Sequence, residues 1–183
     1  MEKRKSYIGY LISFIKLLIP SLVLLFIVRG FILIPVPIDG SSMKPNLSQG
    51  DMVLMEKFTA IQRFDVIVFQ LPDGEIYVKR VIGLPGDEIR YEKDQLYING
   101  EKVAEPFLKK GRKTKSDTEP YTTNFNLADL MNQENLSGDS YFVLGDNRRM
   151  SKDSRSFGAV ESKYILGKAR FVYYPFNHIK IIS

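Results

Sequence analysis

The sequence predicts a mostly β domain that follows one N-terminal helix, and three observations lead to this fold class. Residues 7–38 are mostly Leu, Ile, Val, Phe and Tyr. From residue 40 onward, short runs of β-branched and aromatic residues alternate with turn residues. The chain has 183 residues, 44% hydrophobic and 26% charged, which supplies a folded core and excludes a wholly disordered chain.

The apolar N-terminal segment predicts a transmembrane anchor over residues 11–31. A helix needs about 20 residues to cross a hydrocarbon core of ~30 Å, and only Lys16 and Arg29 interrupt the stretch. Lys16 can extend to the head groups, because helical side chains lean toward the N-terminus. The basic residues in 1–10 predict a cytoplasmic N-terminus, which places residues 32–183 outside the cytoplasm.

Three other interpretations account for part of this segment and its charges. A cleaved secretory signal also joins a basic start to an apolar middle, but no small-x-small cleavage site follows here. A buried core helix would confine its apolar residues to one face, which this segment does not do. A nucleic-acid binder would carry its basic excess on the folded domain, whereas most of the net charge of +5 lies in residues 1–39.

Strands are predicted from β-forming runs bounded by turns. Residues 65–69 and 76–83 flank a Leu-Pro-Asp-Gly turn and are expected to form a hairpin. Residues 127–131 are expected to form one or two helical turns, and the polar residues 109–118 a mobile surface loop within an inserted region of about 101–138. The other expected strands are 51–56, 88–91, 95–98, 141–144 and 169–174.

The cysteine and histidine counts restrict the chemistry. The absence of cysteine excludes a disulfide framework, a thiolate zinc site and a cysteine nucleophile. A single histidine, His178, argues against a Ser-His-Asp triad or a multi-histidine metal site. We therefore expect no metal and no cofactor, and a hydrolase with this sequence needs a base other than histidine.

Three segments could carry chemistry, although each also has an ordinary structural interpretation. In residues 39–47, Gly40 permits backbone conformations that aim an amide at a substrate oxygen, and a serine can present its hydroxyl beside its own N–H. An ordinary Gly-Ser turn has the same composition. Residues 145–158 combine glycines, acids, arginines and serines in a loop that could hold a catalytic lysine, or could be a solvated turn.

Lys79 is the third candidate, because strand alternation places it on one face with Tyr77 and Val81. Among apolar neighbours the charged form of an amine loses hydration, and its pKa falls below the reference value of about 10.4. A fall of more than ~2 units, or about 3 kcal/mol, would leave it largely neutral near pH 8. A neutral amine can take the proton of a serine hydroxyl. The alternative is a lysine that extends into solvent.

In this order and behind a membrane span, the segments together resemble bacterial type I signal peptidases. The likeness is closest to the single-span form of Gram-positive bacteria, a serine peptidase with a Ser/Lys dyad. It covers nearly the whole chain. The segments that carry it are Gly-Ser-Ser-Met-Lys-Pro-Asn-Leu at 40–47, Arg-Phe-Asp-Val-Ile-Val at 63–68, Lys-Arg-Val-Ile-Gly-Leu-Pro-Gly-Asp at 79–87, Asp-Gln-Leu-Tyr-Ile-Asn-Gly at 94–100 and Gly-Asp-Asn-Arg at 145–148.

The resemblance implies a role for each matching residue. Ser42, rather than Ser41, matches the nucleophile, and its backbone N–H matches the oxyanion hole. Lys79 matches the general base, and Ser151 a hydroxyl that hydrogen-bonds and orients this lysine. The charged residues expected to support the site, with Arg80 paired to Asp146, are Arg80, Asp146, Asp153 and Arg155.

The resemblance also implies a fold and a reaction. The fold is an antiparallel β architecture of two fused sheets, with an apolar surface that rests on the membrane lipid. The reaction is hydrolysis of exported pre-proteins after the signal peptide, through an acyl-enzyme. Shallow pockets select small residues at positions −1 and −3, as in Ala-x-Ala. The expected partners are signal peptides and lipid, with no nucleic acid.

Two positions depart from patterns found in the family. Gly40 stands where some members carry a serine whose hydroxyl helps the oxyanion hole, although the Gram-positive pattern has this glycine too. Asn46 stands where threonine is usual.

Two competing identities remain. A self-cleaving Ser-Lys protein such as an SOS repressor lacks a membrane anchor, and an inactive homologue would not need both Ser42 and Lys79.

Overall fold

The computed structural model describes residues 2–27, 33–108 and 120–182. The first element is a helix, α1 (Glu2–Ile27), which contains Pro20. Its segment Gly9–Phe26 is long and apolar enough to cross a membrane, judged by length and composition, and none of it is buried inside the protein. The end of the anchor predicted at residues 28–31 lies outside the described residues.

The described residues after α1 form twelve strands and two further short α-helices. The helices are α2 (Leu127–Met131) and α3 (Ser154–Phe157). The strands are β1 (Leu33–Pro37), β2 (Met52–Glu56), β3 (Val66–Gln70), β4 (Ile76–Gly83), β5 (Ile89–Glu92), β6 (Gln95–Ile98), β7 (Glu101–Val103), β8 (Phe125–Asn126), β9 (Ser140–Leu144), β10 (Val160–Glu161), β11 (Ile165–Tyr174) and β12 (Lys180–Ile181).

Two antiparallel sheets contain these strands. The larger has the order β1-β2-β11-β3-β4-β9-β10, with β12 paired to β11, and the smaller has the order β7-β6-β5-β8. The mostly β class with two sheets behind one apolar helix, expected from the resemblance, is therefore confirmed. Strands β7 and β8 lie in the region predicted as an insertion, and they complete the smaller sheet around β5 and β6.

The predicted strands are present within one or two residues, except that β11 begins four residues earlier than expected. The hairpin is formed by β3 and β4, and α2 occupies the predicted helical turns. Strand β1 was not predicted, because its sequence Leu-Ile-Pro-Val-Pro continues the apolar run of the anchor. It is an edge strand, where proline costs no ladder hydrogen bond. The predicted loop at 109–118 lies outside the described residues.

Strand β4 passes between two apolar clusters, as its alternation predicts. Tyr77 and Val81 pack with Phe69 on one face. Val78 packs on the other face, against a cluster that includes Ile38 and Met43. Three pieces of chain therefore meet near the middle of β4: the loop after β1, β4 itself, and the loop after β9.

Candidate active site

The loop that carries Ser42 follows β1 and is closed at its base by backbone hydrogen bonds. Ile38 N–H donates to Asp51 O at 2.8 Å, and Gly50 N–H donates to Ile38 O at 3.0 Å. Gly40 has a φ of +86°, a left-handed conformation that favours glycine, and directs the chain into the turn that contains Ser42. These hydrogen bonds fix the base of the loop, and the loop lies over β4.

The side chain of Lys79 reaches this loop from β4. Its Nζ donates a hydrogen bond to Ser42 Oγ at 2.8 Å and lies 3.2 Å from Val78 O. Lys79 is only 4% exposed. Within the described residues, no carboxylate lies within ion-pair distance of Nζ. The amine is therefore shielded from solvent, and it has no salt-bridge partner in that part of the chain.

Burial lowers the pKa of the Lys79 amine from 10.5 to about 8, while the negative charges of Asp153 and Asp146 oppose this shift. The direction follows from desolvation, since a buried ammonium loses hydration that a neutral amine does not need. With a pKa of about 8, roughly one amine in ten is neutral at pH 7, compared with roughly one in 3,000 at a pKa of 10.5. A neutral amine has a lone pair available for the hydroxyl proton of Ser42.

The loop after β9 holds the backbone around Ser42. Asn147 N–H donates to Ser42 O at 2.9 Å, and Asn147 Nδ2 donates to Ser41 O at 3.2 Å. Gly145 approaches the same carbonyl so closely that a Cβ there would lie 2.5 Å from Ser42 O and 2.2 Å from Ser151 Oγ. A glycine is therefore required where the two loops touch.

The expected pair between Arg80 and Asp146 is present and fully buried. Arg80 Nε donates to Asp146 Oδ1 and Nη2 to Asp146 Oδ2, both at 2.8 Å. Arg80 points away from the Lys79 face and stacks on the ring of Phe107, with Cζ 4.2 Å from the ring centroid. This pair ties the loop after β9 to β4, one residue from Lys79.

Asp153 and Arg155 brace the second half of the same loop. Asp153 is the N-cap of α3, and its Oδ2 accepts the N–H of Gly145 at 3.1 Å. Arg155 donates to both carboxylate oxygens of Asp153 at 2.8 Å and to Arg148 O at 2.7 Å. Both residues shape the loop, and among the described residues neither has a hydrogen bond to Ser42.

Ser151 does not make the hydrogen bond that was expected for it. Its Oγ is buried beside Gly145, but it has no hydrogen-bond partner among the described residues, so the expected hydrogen bond to Lys79 is not formed. The two acceptors of the Lys79 amine are instead Ser42 Oγ and Val78 O. Ser151 stays near the site without orienting the lysine in this conformation.

The sequence predicted no role for several site residues, and Asn46 stood out only as a departure from the usual threonine. Asn147 was part of the Gly-Asp-Asn-Arg segment but received no role. Asn46 Nδ2 donates to Asp146 Oδ2 at 2.8 Å and to Phe107 O at 3.0 Å. Tyr121 donates its hydroxyl to Asp146 O at 2.7 Å. These contacts join residues far apart in sequence, so the only available signal was the polar character of the segments themselves.

A groove of about 600 Å³ opens onto Ser42 and Lys79. Its two walls are the chain from β1 to Ser42 and the first half of β4. Strand β9 pairs with β4 only from Arg80 onward, so no strand of the described residues pairs with that edge of Ile76–Lys79. The lining residues are Val36, Pro37, Ile38, Asp39, Gly40, Ser41, Ser42, Met43, Glu75, Ile76, Tyr77, Val78, Lys79, Met150 and Lys152.

The site contains a serine hydroxyl beside a buried lysine amine, at the end of a groove between strand edges. This is the arrangement of a serine hydrolase with an amine base. Among the described residues, no group of three His, Cys, Asp or Glu side chains could hold a metal ion. The model of the family described as "Signal peptidase, peptidase S26" matches residues 11–174. The chain therefore belongs to this family of serine peptidases, hydrolases that remove signal peptides from exported proteins.

Individual relatives agree with this assignment. The chain is 43% identical over 151 residues to "Signal peptidase I V" of Bacillus subtilis, covering 80% of this chain and 89% of the relative. It is 41% identical over 168 residues to "Signal peptidase IB" of Staphylococcus aureus, covering 87% of each. The crystal structure of a signal peptidase I from Enterococcus faecalis superposes with a TM-score of 0.57 at 41% identity, covering 60% of this chain and 97% of that one.

Proposed function

We propose that Ser42 is the nucleophile and Lys79 the general base with which this chain removes signal peptides from exported pre-proteins. The observation that carries the proposal is the 2.8 Å hydrogen bond between Lys79 Nζ and Ser42 Oγ, made by a buried amine whose pKa is lowered to about 8. Burial supplies what a histidine supplies in other serine peptidases, namely a base that is partly neutral at working pH.

In the acylation step, Ser42 Oγ attacks the scissile carbonyl carbon while Lys79 Nζ takes the hydroxyl proton. The oxygen of the tetrahedral intermediate faces the backbone N–H of Ser42, which donates to no acceptor among the described residues. The C–N bond then breaks, and Lys79 gives its proton to the leaving amine of the mature protein. Lys79 next takes a proton from a water, which attacks the ester carbonyl carbon. The bond between this carbon and Ser42 Oγ then breaks, Lys79 returns the proton to Ser42 Oγ, and the signal peptide leaves with a C-terminal carboxyl group.

The groove fits an extended peptide, which would add its main chain to the unpaired edge of β4 at Ile76–Lys79. Side chains of an extended peptide alternate, so those at −1 and −3 point the same way. On one side of the groove the lining is apolar, from Ile38, Met43 and Val78. We propose that this lining accepts small residues, giving a preference for Ala-x-Ala.

The proposed topology places residues 1–10 in the cytoplasm, an anchor over residues 11–31 and the β domain, residues 32–183, outside, with about 101–138 as its inserted region. The first residue of β1, Leu33, pairs with Glu56, so the chain emerges from the anchor next to the end of β2. Phe58 follows two residues later and is 92% exposed. We propose that Phe58 contacts lipid, which would hold the groove close to membrane-bound substrate.

The proposal is tested by comparing two adjacent serines. The wild-type chain, Ser42→Ala and Ser41→Ala are purified in detergent and incubated with an exported pre-protein carrying Ala-x-Ala before its cleavage site. Ser42→Ala should lose activity by about four orders of magnitude or more, while Ser41→Ala keeps it. The proposal fails if Ser42→Ala cleaves like wild type. A leucine at −1 of the substrate should stop cleavage if the pockets select small residues.

A further inference from the structure

The C-terminal tail contacts the Ser42 loop through two side chains. The tail comprises a 3₁₀-helix, Phe176–His178, and β12. His178 Nδ1 lies 2.8 Å from Asp51 Oδ1, at the base of the Ser42 loop. Lys180 Nζ lies 2.8 Å from His178 Nε2 and donates a hydrogen bond to Asn46 O. The single histidine of the chain is thus bridged between a carboxylate and an amine.

These contacts require a neutral imidazole in one tautomer. The side chain of Asp51 is 3% exposed, and its second oxygen accepts the N–H of Ser48 at 2.9 Å. Nδ1 therefore carries the proton that His178 donates to Asp51, and Nε2 is the acceptor of a Lys180 proton. The lysine ammonium thus contacts both His178 Nε2 and Asn46 O.

Asn46 connects the tail to the catalytic loop. It lies four residues after Ser42 on the same loop, and its side chain donates to Asp146 Oδ2 at 2.8 Å. Asp146 in turn is paired with Arg80, the neighbour of Lys79 in β4. The carbonyl and the side chain of Asn46 are therefore both fixed, one by the tail and the other by the loop after β9.

We infer that His178 and Lys180 are positioning residues for Ser42. We further infer that protonation of His178 breaks the contact of Lys180 with His178 Nε2 and, with it, the hydrogen bond from Lys180 to Asn46 O. Protonation puts a hydrogen on Nε2, which can no longer accept from Lys180, and sets two cations against each other. His178 keeps its bond to Asp51, so Lys180 is displaced and Asn46 O loses its donor. This inference rests on the proposed role of Ser42.

The charges around the imidazole support this response. Asp51 comes from the Ser42 loop and Lys180 from β12. Strand β11 packs on the 3₁₀-helix, and its last four residues, Phe-Val-Tyr-Tyr, include neither a carboxylate nor an amine.

The test compares variants that separate hydrogen bonding from charge. In His178→Gln the amide can donate to Asp51 and accept from Lys180, but it does not titrate. His178→Ala and Lys180→Met remove the contact between His178 and Lys180 at every pH. For each full-length protein in detergent, kcat/KM on an Ala-x-Ala pre-protein is measured from pH 5 to 9. The imidazole signal in the NMR spectrum gives the pH at which His178 becomes protonated.

In the wild type, kcat/KM should fall about tenfold per pH unit below 8, with an additional loss of about tenfold in total, seen as a steeper part, across the protonation of His178. His178→Gln should keep the rate at pH 8.5 within about twofold and lose the steeper part. Lys180→Met and His178→Ala should be about tenfold slower at pH 8.5, again without the steeper part. A wild-type slope of one throughout, a His178→Gln profile identical to wild type, or an unimpaired Lys180→Met would overturn the inference.

A readout without substrate separates this inference from the proposed function. Hydrogen exchange of the backbone amides in residues 43–51, corrected for intrinsic pH dependence, should accelerate below the protonation of His178 in wild type and not in His178→Gln. If Ser42→Ala retains activity, the proposed function fails whatever the exchange shows. If Ser42→Ala is inactive but exchange is independent of His178, only the positioning inference fails.

Discussion

Replacing Lys79 by methionine should stabilise the fold at neutral pH while abolishing activity. The pKa of the amine falls from 10.5 to about 8 on burial, a difference of 2.5 units and, at 1.36 kcal/mol per unit, a cost of about 3 kcal/mol. This cost is complete below pH 8, where the amine is protonated in folded and unfolded chains alike, and it disappears as pH rises from 8 to 10.5. Methionine fills a similar volume without a charge.

The assay is unfolding in detergent at pH 7 and pH 10.5. Two lost hydrogen bonds offset part of the gain, so Lys79→Met should be about 1 kcal/mol or more above wild type at pH 7. The difference between the two proteins should change by about 3 kcal/mol between these pH values. Lys168→Met is the matched control, because Lys168 is also buried but pairs with Asp65 at 2.5 Å, and its loss should destabilise. A pH-independent difference for Lys79→Met would refute the reasoning.

Three further perturbations have expected outcomes. Gly145→Ala places a Cβ 2.5 Å from Ser42 O and should lower kcat about 10²-fold with a folded β domain by circular dichroism; unchanged kcat would contradict the close approach. Asp146→Ala removes the buried carboxylate that pairs with Arg80 and should cost about 3–5 kcal/mol in unfolding free energy, so a loss below about 1 kcal/mol would contradict it. Phe58→Trp introduces the sole tryptophan of the chain, whose fluorescence in vesicles should be quenched by brominated lipid; quenching by aqueous iodide alone would argue against lipid contact.

Local sequence patterns were sufficient to predict the strand that carries Lys79. The Leu-Pro-Asp-Gly turn and its flanking β-branched runs predicted the β3–β4 hairpin, and alternation in β4 placed Lys79 on the face with Tyr77 and Val81. Strand β1 could not be separated from the anchor, since both are apolar. Its strand character comes from pairing with β2, which no local pattern reports.

The polar contacts around Ser42 are tertiary and were out of reach of sequence patterns. Asn147 and Ser41 are 106 residues apart, and Lys180 and Asn46 are 134 apart. The Arg80–Asp146 pair was expected only because of the family resemblance. The same resemblance predicted a hydrogen bond from Ser151 to Lys79 that this conformation does not contain. Residue matching therefore located the site, and the hydrogen-bond partners depended on the fold.

The most direct test of the central claim, that a neutral Lys79 amine activates Ser42, is the pH dependence of kcat/KM on an Ala-x-Ala pre-protein. This quantity reports the essential base of the free enzyme. Above the pH at which His178 becomes protonated, we expect a rise of about tenfold per pH unit that levels off with a midpoint of about 8, the lowered pKa of the buried amine. A midpoint that stays near 10.5, or a rate that does not change between pH 7 and 9, would contradict the account.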